Sequence, residues 1–130
     1  MIPNTLSIAG VDPSGGAGVF ADLKAFSALG AYGCAVVTAL TAQNTRAVTG
    51  VELVAANFVT AQLDAVFDDL TISAIKVGML GTSELTASVA AGLTKHAGDI
   101  PIVLDPVMIA KSGDALLQPD AVSALSLIHI

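Results

Sequence analysis

Apolar positions along this chain change their period several times, and each change marks an element. Residues 4–9 (NTLSIA) read as a short strand ending at Gly10, and the loop VDPSGG follows, with Pro13 disfavouring helix at Asp12. From Ala17 to about Leu29 the apolar positions Val19, Phe20, Leu23, Phe26 and Leu29 step by three or four, one stripe of an amphipathic helix. Gly30 stands where a C-terminal cap belongs. Residues 33–41 (GCAVVTALT) form a continuous apolar run rich in branched side chains, the pattern of a strand buried on both faces. A polar loop, AQNTRAVTG, separates it from the short strand VELVA. Asn57 is placed to cap a second helix whose stripe is Phe58, Val59, Leu63, Val66, Phe67 and Leu70. AIKVGML at 74–80 reads as a strand ending near Gly78. A third helix is expected from Thr82 or Ser83, with Glu84 in its first turn, to about Gly98. PIVLD at 101–105 is a further strand, PVMIAKSGDALLQP a loop, and DAVSA the start of another helix.

Strands alternating with helical patterns build βαβ units, which pair their strands in parallel with right-handed crossovers. The expected class is therefore α/β with a layered, mostly parallel sheet. At 130 residues the chain is one domain or part of one, and it shows no internal repeat. Composition agrees: 54% of residues are apolar, mean hydropathy is +0.79 and only 4% are aromatic, so the excess is Ala, Val, Leu and Ile. Residues 25–45 carry no charge over a length that would cross a bilayer, but Gly30, Gly33, Gln43 and Asn44 interrupt them and their two halves have different periods. No membrane association is expected. The opening MIPNTLSIAG lacks both the basic and the long apolar region of a signal peptide, so a cytoplasmic location is expected. Cys34 is the sole cysteine and lies in an apolar run, which excludes an intrachain disulfide and favours a small buried hydrophobe over a reactive thiol. The net charge of −6, with no two Lys or Arg adjacent, argues against nucleic-acid binding.

The chemistry most open to reading lies in AGVDPSGGAGVFADLK, residues 9–24, where three glycines cluster between a strand and a helix. A Walker A loop needs Lys and then Ser or Thr after its second glycine, and Gly16 and Ala17 occupy those positions. Gly16 to Ala21 fits the Gly-x-Gly-x-x-Ala dinucleotide fingerprint, but residues 33–45 supply no acid to hold a ribose. A dinucleotide-binding oxidoreductase domain stands as an alternative on that match alone. What remains is a set of backbone amides at a helix N-terminus, suited to a polar or anionic group, or simply a tight turn. Ligands of open parallel sheets bind beyond the carboxyl ends of strands, where Gly10, Asp12, Gln43, Asn44, Gly78, Met79 and Asp105 to Met108 fall. These residues are mostly uncharged, and an amide side chain both donates and accepts, which suits a small heteroaromatic ligand. Gln43 directly follows an apolar strand and is expected in the crevice. Asp105 is either a turn residue or a carboxylate near magnesium and phosphate. Lys76, inside a strand pattern, must reach an edge or pair with a carboxylate. His96 at an exposed helix end and His129 near the terminus carry no role.

Taken together, AGVDPSGGAGVFADLKAFSALGAYGCAVVTALTAQNT, KVGML and LDPVMIAKSGDALL resemble the hydroxymethylpyrimidine and phosphomethylpyrimidine kinases of thiamine biosynthesis, members of the ribokinase-like superfamily. The resemblance runs in the same order from about residue 5 to residue 122. It implies a three-layer α/β/α fold and phosphorylation of 4-amino-5-hydroxymethyl-2-methylpyrimidine, and then of its monophosphate, with ATP and Mg2+. Carried over by motif, Gln43 would hydrogen-bond the pyrimidine edge, Gly10 and Asp22 would line the same pocket, and Met79 and Val107 would supply apolar walls. Asp105 would lie near the magnesium and the phosphates. Pyridoxal or pyridoxine kinase of the same superfamily is the nearest alternative; a non-catalytic module that uses Gln43 is another. Family members continue into a second half that carries the ATP site and the residue activating the substrate hydroxyl. Residues 1–124 are thus expected to be the N-terminal, truncated portion of a single kinase domain, holding no catalytic residue, inactive as written, and homodimeric when full length. The last six residues, LSLIHI, match the translation of a transposase adapter end and are expected to be a non-native tail.

Overall fold

The computed structural model describes residues 1–107 together with Ala121 and Ala124. The loop expected after Val107, most of the helix after Pro119, His129 and the tail at 125–130 lie outside the described residues. The elements run β1 (Asn4–Val11), α1 (Gly18–Ala28), β2 (Tyr32–Gln43), β3 (Val48–Leu53), α2 (Ala56–Asp69), β4 (Ile72–Val77), α3 (Ser83–His96) and β5 (Ile102–Leu104). Their strands form one sheet in the order β3-β2-β1-β4-β5. β1 pairs in parallel with both β2 and β4, and β5 in parallel with β4, while β3 runs antiparallel to β2. The antiparallel edge follows from the short connection between β2 and β3: only a hairpin closes so quickly, because a parallel partner needs a crossover of a dozen residues or more. The polar loop read at AQNTRAVTG is accordingly shorter than expected, since β2 runs on to Gln43 and β3 begins at Val48.

Alternation along β1 assigns the two faces. Leu6 and Ile8 point to one side and join Val36, Ile75 and Val77 with Val59 and Leu63 of α2 and Leu85, Val89 and Leu93 of α3 in the main core. Ala121 is buried in the same cluster. Ser7 points to the other side, where α1 lies across β1 and β2. Helices therefore cover both faces of the sheet. The side chain of Gln62 on α2 donates to the Val37 carbonyl oxygen and accepts from the Val37 amide, at 3.0 and 2.9 Å, serving as a strand neighbour where β3 does not reach. The Thr38 hydroxyl, fully buried, donates to the Met79 carbonyl oxygen at 2.6 Å and ties β2 to the turn after β4.

Helix boundaries follow the expected chemistry in two cases of three. α1 closes with Gly30 at φ +84° and the Ala31 amide donating back to the Phe26 carbonyl, and Thr82 caps α3 by accepting from the Leu85 amide. Asn57 is a correction: it sits inside α2 on the exposed side, and the N-cap is Ala55, which makes no side-chain cap bond. Burial of Ala56 and Val59 against the core sets the start of this helix, and that outweighs a capping preference of about 1 kcal/mol. The apolar stripes are also narrower than their spacing suggested, since Phe20, Leu29 and Phe58 are exposed. His96 is not at an exposed end. Its ring stacks on Phe67 with centroids 4.9 Å apart and lies 2.6 Å from Asp64, joining α3 to α2.

Candidate functional site

The chain leaves β1 at the point where the sheet order reverses, with β2 on one side and β4 on the other. An open crevice of about 310 Å³ lies there, beyond the carboxyl ends of β1, β2 and β4, where the diverging connections of an open parallel sheet leave room for a ligand. All six residues singled out for a site, Gly10, Asp22, Gln43, Met79, Asp105 and Val107, line it. It is also lined by Asp12, expected at this end of the sheet, and by Thr41 and Lys76, for which no ligand contact was expected. Asn44 is not part of this lining; its side-chain oxygen instead accepts from the Arg46 and Ala47 amides and shapes the hairpin turn.

Gly10 sits where the register between β1 and β2 shifts, and a Cβ there would stand 3.2 Å from the Met79 sulfur. Its lack of a side chain lets Met79, nearly buried, form the wall opposite the glycine loop. Asp12 organises that loop. One carboxylate oxygen accepts from the Ser14 amide at 2.8 Å and the Ser14 hydroxyl at 2.7 Å, and the other accepts from the Gly16 amide at 3.2 Å. Burial pushes the Asp12 carboxyl upward, but hydrogen bonds from the Ser14 hydroxyl and the Ser14, Gly16 and Ala17 amides prevail and hold it below the usual carboxylate range. A depressed folded pKa gives stability that is present above the unfolded value of about 4 and is lost as pH falls through the folded value. The loop of Asp12→Asn is therefore expected to lack this acid-labile component. Protection of the Ser14 and Gly16 amides, taken relative to their intrinsic exchange rates, should fall below about pH 4 in the parent chain and change less with pH in the variant; parallel profiles would refute the assignment.

Asp22 and Lys76 meet inside the crevice from opposite elements. The Lys76 ammonium lies 2.9 and 3.1 Å from the two carboxylate oxygens of Asp22, and the Ser7 hydroxyl donates to the same carboxylate at 2.7 Å. Only 22% of the lysine side chain and 16% of the aspartate side chain are exposed. Of the two outcomes open to a strand lysine, an edge or a carboxylate, it is the pairing that occurs, supplied by a helix that packs on the same face. Asp105, exposed, follows β5, with its amide donating to the Val77 carbonyl at 2.8 Å. On the remaining wall, Thr41 and Gln43 project from β2 on one face at the period of two. The Thr41 hydroxyl donates to the Val11 carbonyl oxygen at 2.8 Å and stands 3.0 Å from the Gln43 side-chain amide.

The glycines complete the floor. α1 begins at Gly18 with no side-chain cap, so the amides of its first turn offer donors backed by the helix dipole at the crevice, whereas those of Gly16 and Ala17 are taken by Asp12. Among the described residues no group of three His, Cys, Asp or Glu side chains is placed to hold a metal ion, and no helix is long and apolar enough to cross a membrane. The uncharged stretch at 25–45 is divided between α1 and β2. Burial raises the Cys34 pKa, which suits the inert role expected of it.

Comparison with known proteins places this crevice in context. The model of the phosphomethylpyrimidine kinase family matches residues 12–129. A hydroxymethylpyrimidine/phosphomethylpyrimidine kinase of Rhizobium meliloti (strain 1021) is 60% identical over 120 residues, covering 92% of this chain and 44% of the relative. The crystal structure of a phosphomethylpyrimidine kinase from Clostridium difficile 630 superposes with a TM-score of 0.85 at 47% identity, over 95% of this chain and 53% of that one. A Bacillus subtilis pyridoxal kinase solved as its ADP complex has a TM-score of 0.82 at 32% identity, over 96% of this chain and 47% of its own. The chain therefore spans about half the length of the relatives it matches, and its fold is the ribokinase-like α/β/α arrangement, with a mostly parallel sheet.

Proposed function

The chain belongs to the phosphomethylpyrimidine kinase family, and on that premise we propose that it forms the pyrimidine-binding part of an ATP-dependent kinase acting on 4-amino-5-hydroxymethyl-2-methylpyrimidine and its monophosphate in thiamine biosynthesis. The observation that carries this reading is the crevice itself. One amide side chain, one ion-paired carboxylate, the uncapped first turn of α1 and two apolar walls converge at the sheet's switch point. A pocket of about 310 Å³ suits a single substituted ring. Gln43 can offer a donor to a ring nitrogen and an acceptor to an exocyclic amine, Met79 and Val107 flank the ring faces, and the amides at the start of α1 face polar substituents. The greater identity to the pyrimidine kinase structure than to the pyridoxal kinase structure, 47% against 32%, supports the pyrimidine over the pyridine.

When bound, MgATP would supply the phosphoryl group for transfer to the hydroxymethyl oxygen. Asp105 is the residue here suited to its metal. Asp12 and Asp22 are engaged by the loop and by Lys76, whereas the Asp105 side chain makes no hydrogen bond to another described residue. One carboxylate completed by phosphates and water is an ordinary magnesium site. The work of the crevice is to hold the pyrimidine so that its hydroxymethyl group has one orientation and little water around it, which is the larger part of what phosphoryl transfer asks of a protein.

Calorimetric titration of the protein with the hydroxymethylpyrimidine and with pyridoxine tests the reading. We expect the pyrimidine to bind more tightly and Gln43→Ala to lose about tenfold or more of that affinity, as for a pair of hydrogen bonds. Preference for pyridoxine, or indifference to Gln43→Ala, would refute it.

A further inference from the structure

Hydrogen-bond counting on β2 decides which way round Gln43 presents its amide. Thr41 Oγ1 lies 2.8 Å from the Val11 carbonyl oxygen and 3.0 Å from Gln43 Oε1. Both are acceptors, and a threonine hydroxyl has one proton. Shared between them, that proton makes one divided bond and sets two oxygen lone pairs against each other. The Val11 carbonyl is the nearer acceptor and cannot become a donor. Gln43 can, because half a turn of its terminal amide exchanges Oε1 and Nε2 without moving any other atom. The Gln43 amide then donates to Thr41 Oγ1 while Thr41 donates to Val11, and both bonds are whole.

We propose that Thr41 is a specificity-determining residue: it holds the Gln43 amide with its N–H on Thr41 and its carbonyl oxygen turned to the crevice, so that the site selects a ring bearing an amine over one bearing an oxo group. The inference rests on the reading of this crevice as a pyrimidine site. One Nε2 proton is committed to Thr41, the other remains for a ring nitrogen, and Oε1 accepts from an exocyclic amine. A 4-oxo ring would set oxygen against oxygen and protonated ring nitrogen against N–H. With the hydroxyl gone, the amide could turn to suit either ring.

Two measurements test this, one of them free of ligand. In 15N-labelled protein the Gln43 side-chain signals, identified by their loss in Gln43→Glu, are expected to show one proton shifted downfield and slowed in exchange. That proton should revert to solvent-like behaviour in Thr41→Val and keep its protection in Thr41→Ser. Gln43 amide protons that Thr41→Val leaves unchanged would overturn the proposed orientation. In the second measurement, 4-amino-5-hydroxymethyl-2-methylpyrimidine is expected to bind about tenfold or more tightly than its 4-oxo counterpart in wild type and in Thr41→Ser, but within about threefold of it in Thr41→Val. An unchanged ratio in Thr41→Val would overturn the selectivity role, since damage to the fold would weaken both ligands alike. Should wild type bind neither ring while the protected amide proton is present, the pyrimidine reading falls and the orientation of Gln43 stands.

Discussion

Gly18→Ala is expected to destabilise the chain by about 3–5 kcal/mol and to abolish ligand binding in whatever folded fraction remains. Two effects coincide at this residue. Its φ is +61°, a region that costs an alanine roughly 1–2 kcal/mol, and a Cβ would run into the Gly10 carbonyl oxygen. That oxygen belongs to backbone at the central strand of the sheet, so it cannot swing aside as the end of a side chain would. The bridge between Val11 and Gly18 holds the two segments together there, and relief of the clash must move either β1 or the first turn of α1. Urea unfolding followed by circular dichroism measures the loss. A variant within about 1 kcal/mol of the parent would show that the loop is looser than its geometry indicates. Gly30→Ala makes a useful control, because Gly30 has φ +84° but nothing within 4 Å of its missing Cβ, and it should show the conformational penalty alone.

Lys76→Met is expected to cost about 2–3 kcal/mol. Removing one partner of a fully buried ion pair costs about 3–5 kcal/mol because the other charge is stranded, and the partial exposure of Lys76 and Asp22 lowers that figure. Asp22 would keep its bond from Ser7 but lose both contacts from the ammonium. Combining Lys76→Met with Asp22→Asn should restore more than half of the loss, since the stranded charge goes and an amide oxygen still accepts from Ser7. A double-mutant cycle gives the coupling directly. Coupling below about 0.5 kcal/mol would mean that the pair is held in place by its surroundings rather than contributing to them.

These two sites differ in how visible they were along the chain. The glycines at 15, 16 and 18 announced a strand-to-helix turn, and failure of the Walker and dinucleotide templates was decided by residue type alone. Lys76 announced only that it must reach an edge or pair with a carboxylate. It stands 54 positions along the chain from Asp22, and nothing local says that α1 will lie over the sheet at that height. Asp12 was read as a residue beside a proline at the ligand end of the first strand, and its carboxylate proved to be the brace of the loop, a role with a local signal, since Asp followed two residues later by Ser is the spacing of an Asx turn. Thr41 had no such signal: a threonine in a strand is ordinary, and its importance comes from the carbonyl of another strand lying opposite it. Asn57 shows the reverse, a good local cap overruled by burial of the neighbouring turn.

Periodicity, glycine and proline positions determined the order and type of the elements, the α/β class and the end of the sheet at which a ligand would lie, because these depend on interactions within about ten residues. The motifs shared with the pyrimidine kinases pointed to Gln43, Gly10, Asp22, Met79, Val107 and Asp105. Tertiary structure decided what a linear pattern cannot hold. It chose the antiparallel edge at β3, the pairing of Lys76 with Asp22, the substitution of Gln62 for a missing strand neighbour, and the second acceptor that competes for the Thr41 proton. Each of these depends on which surfaces meet when the sheet closes around β1, and that is settled by packing of the whole core rather than by any segment of it.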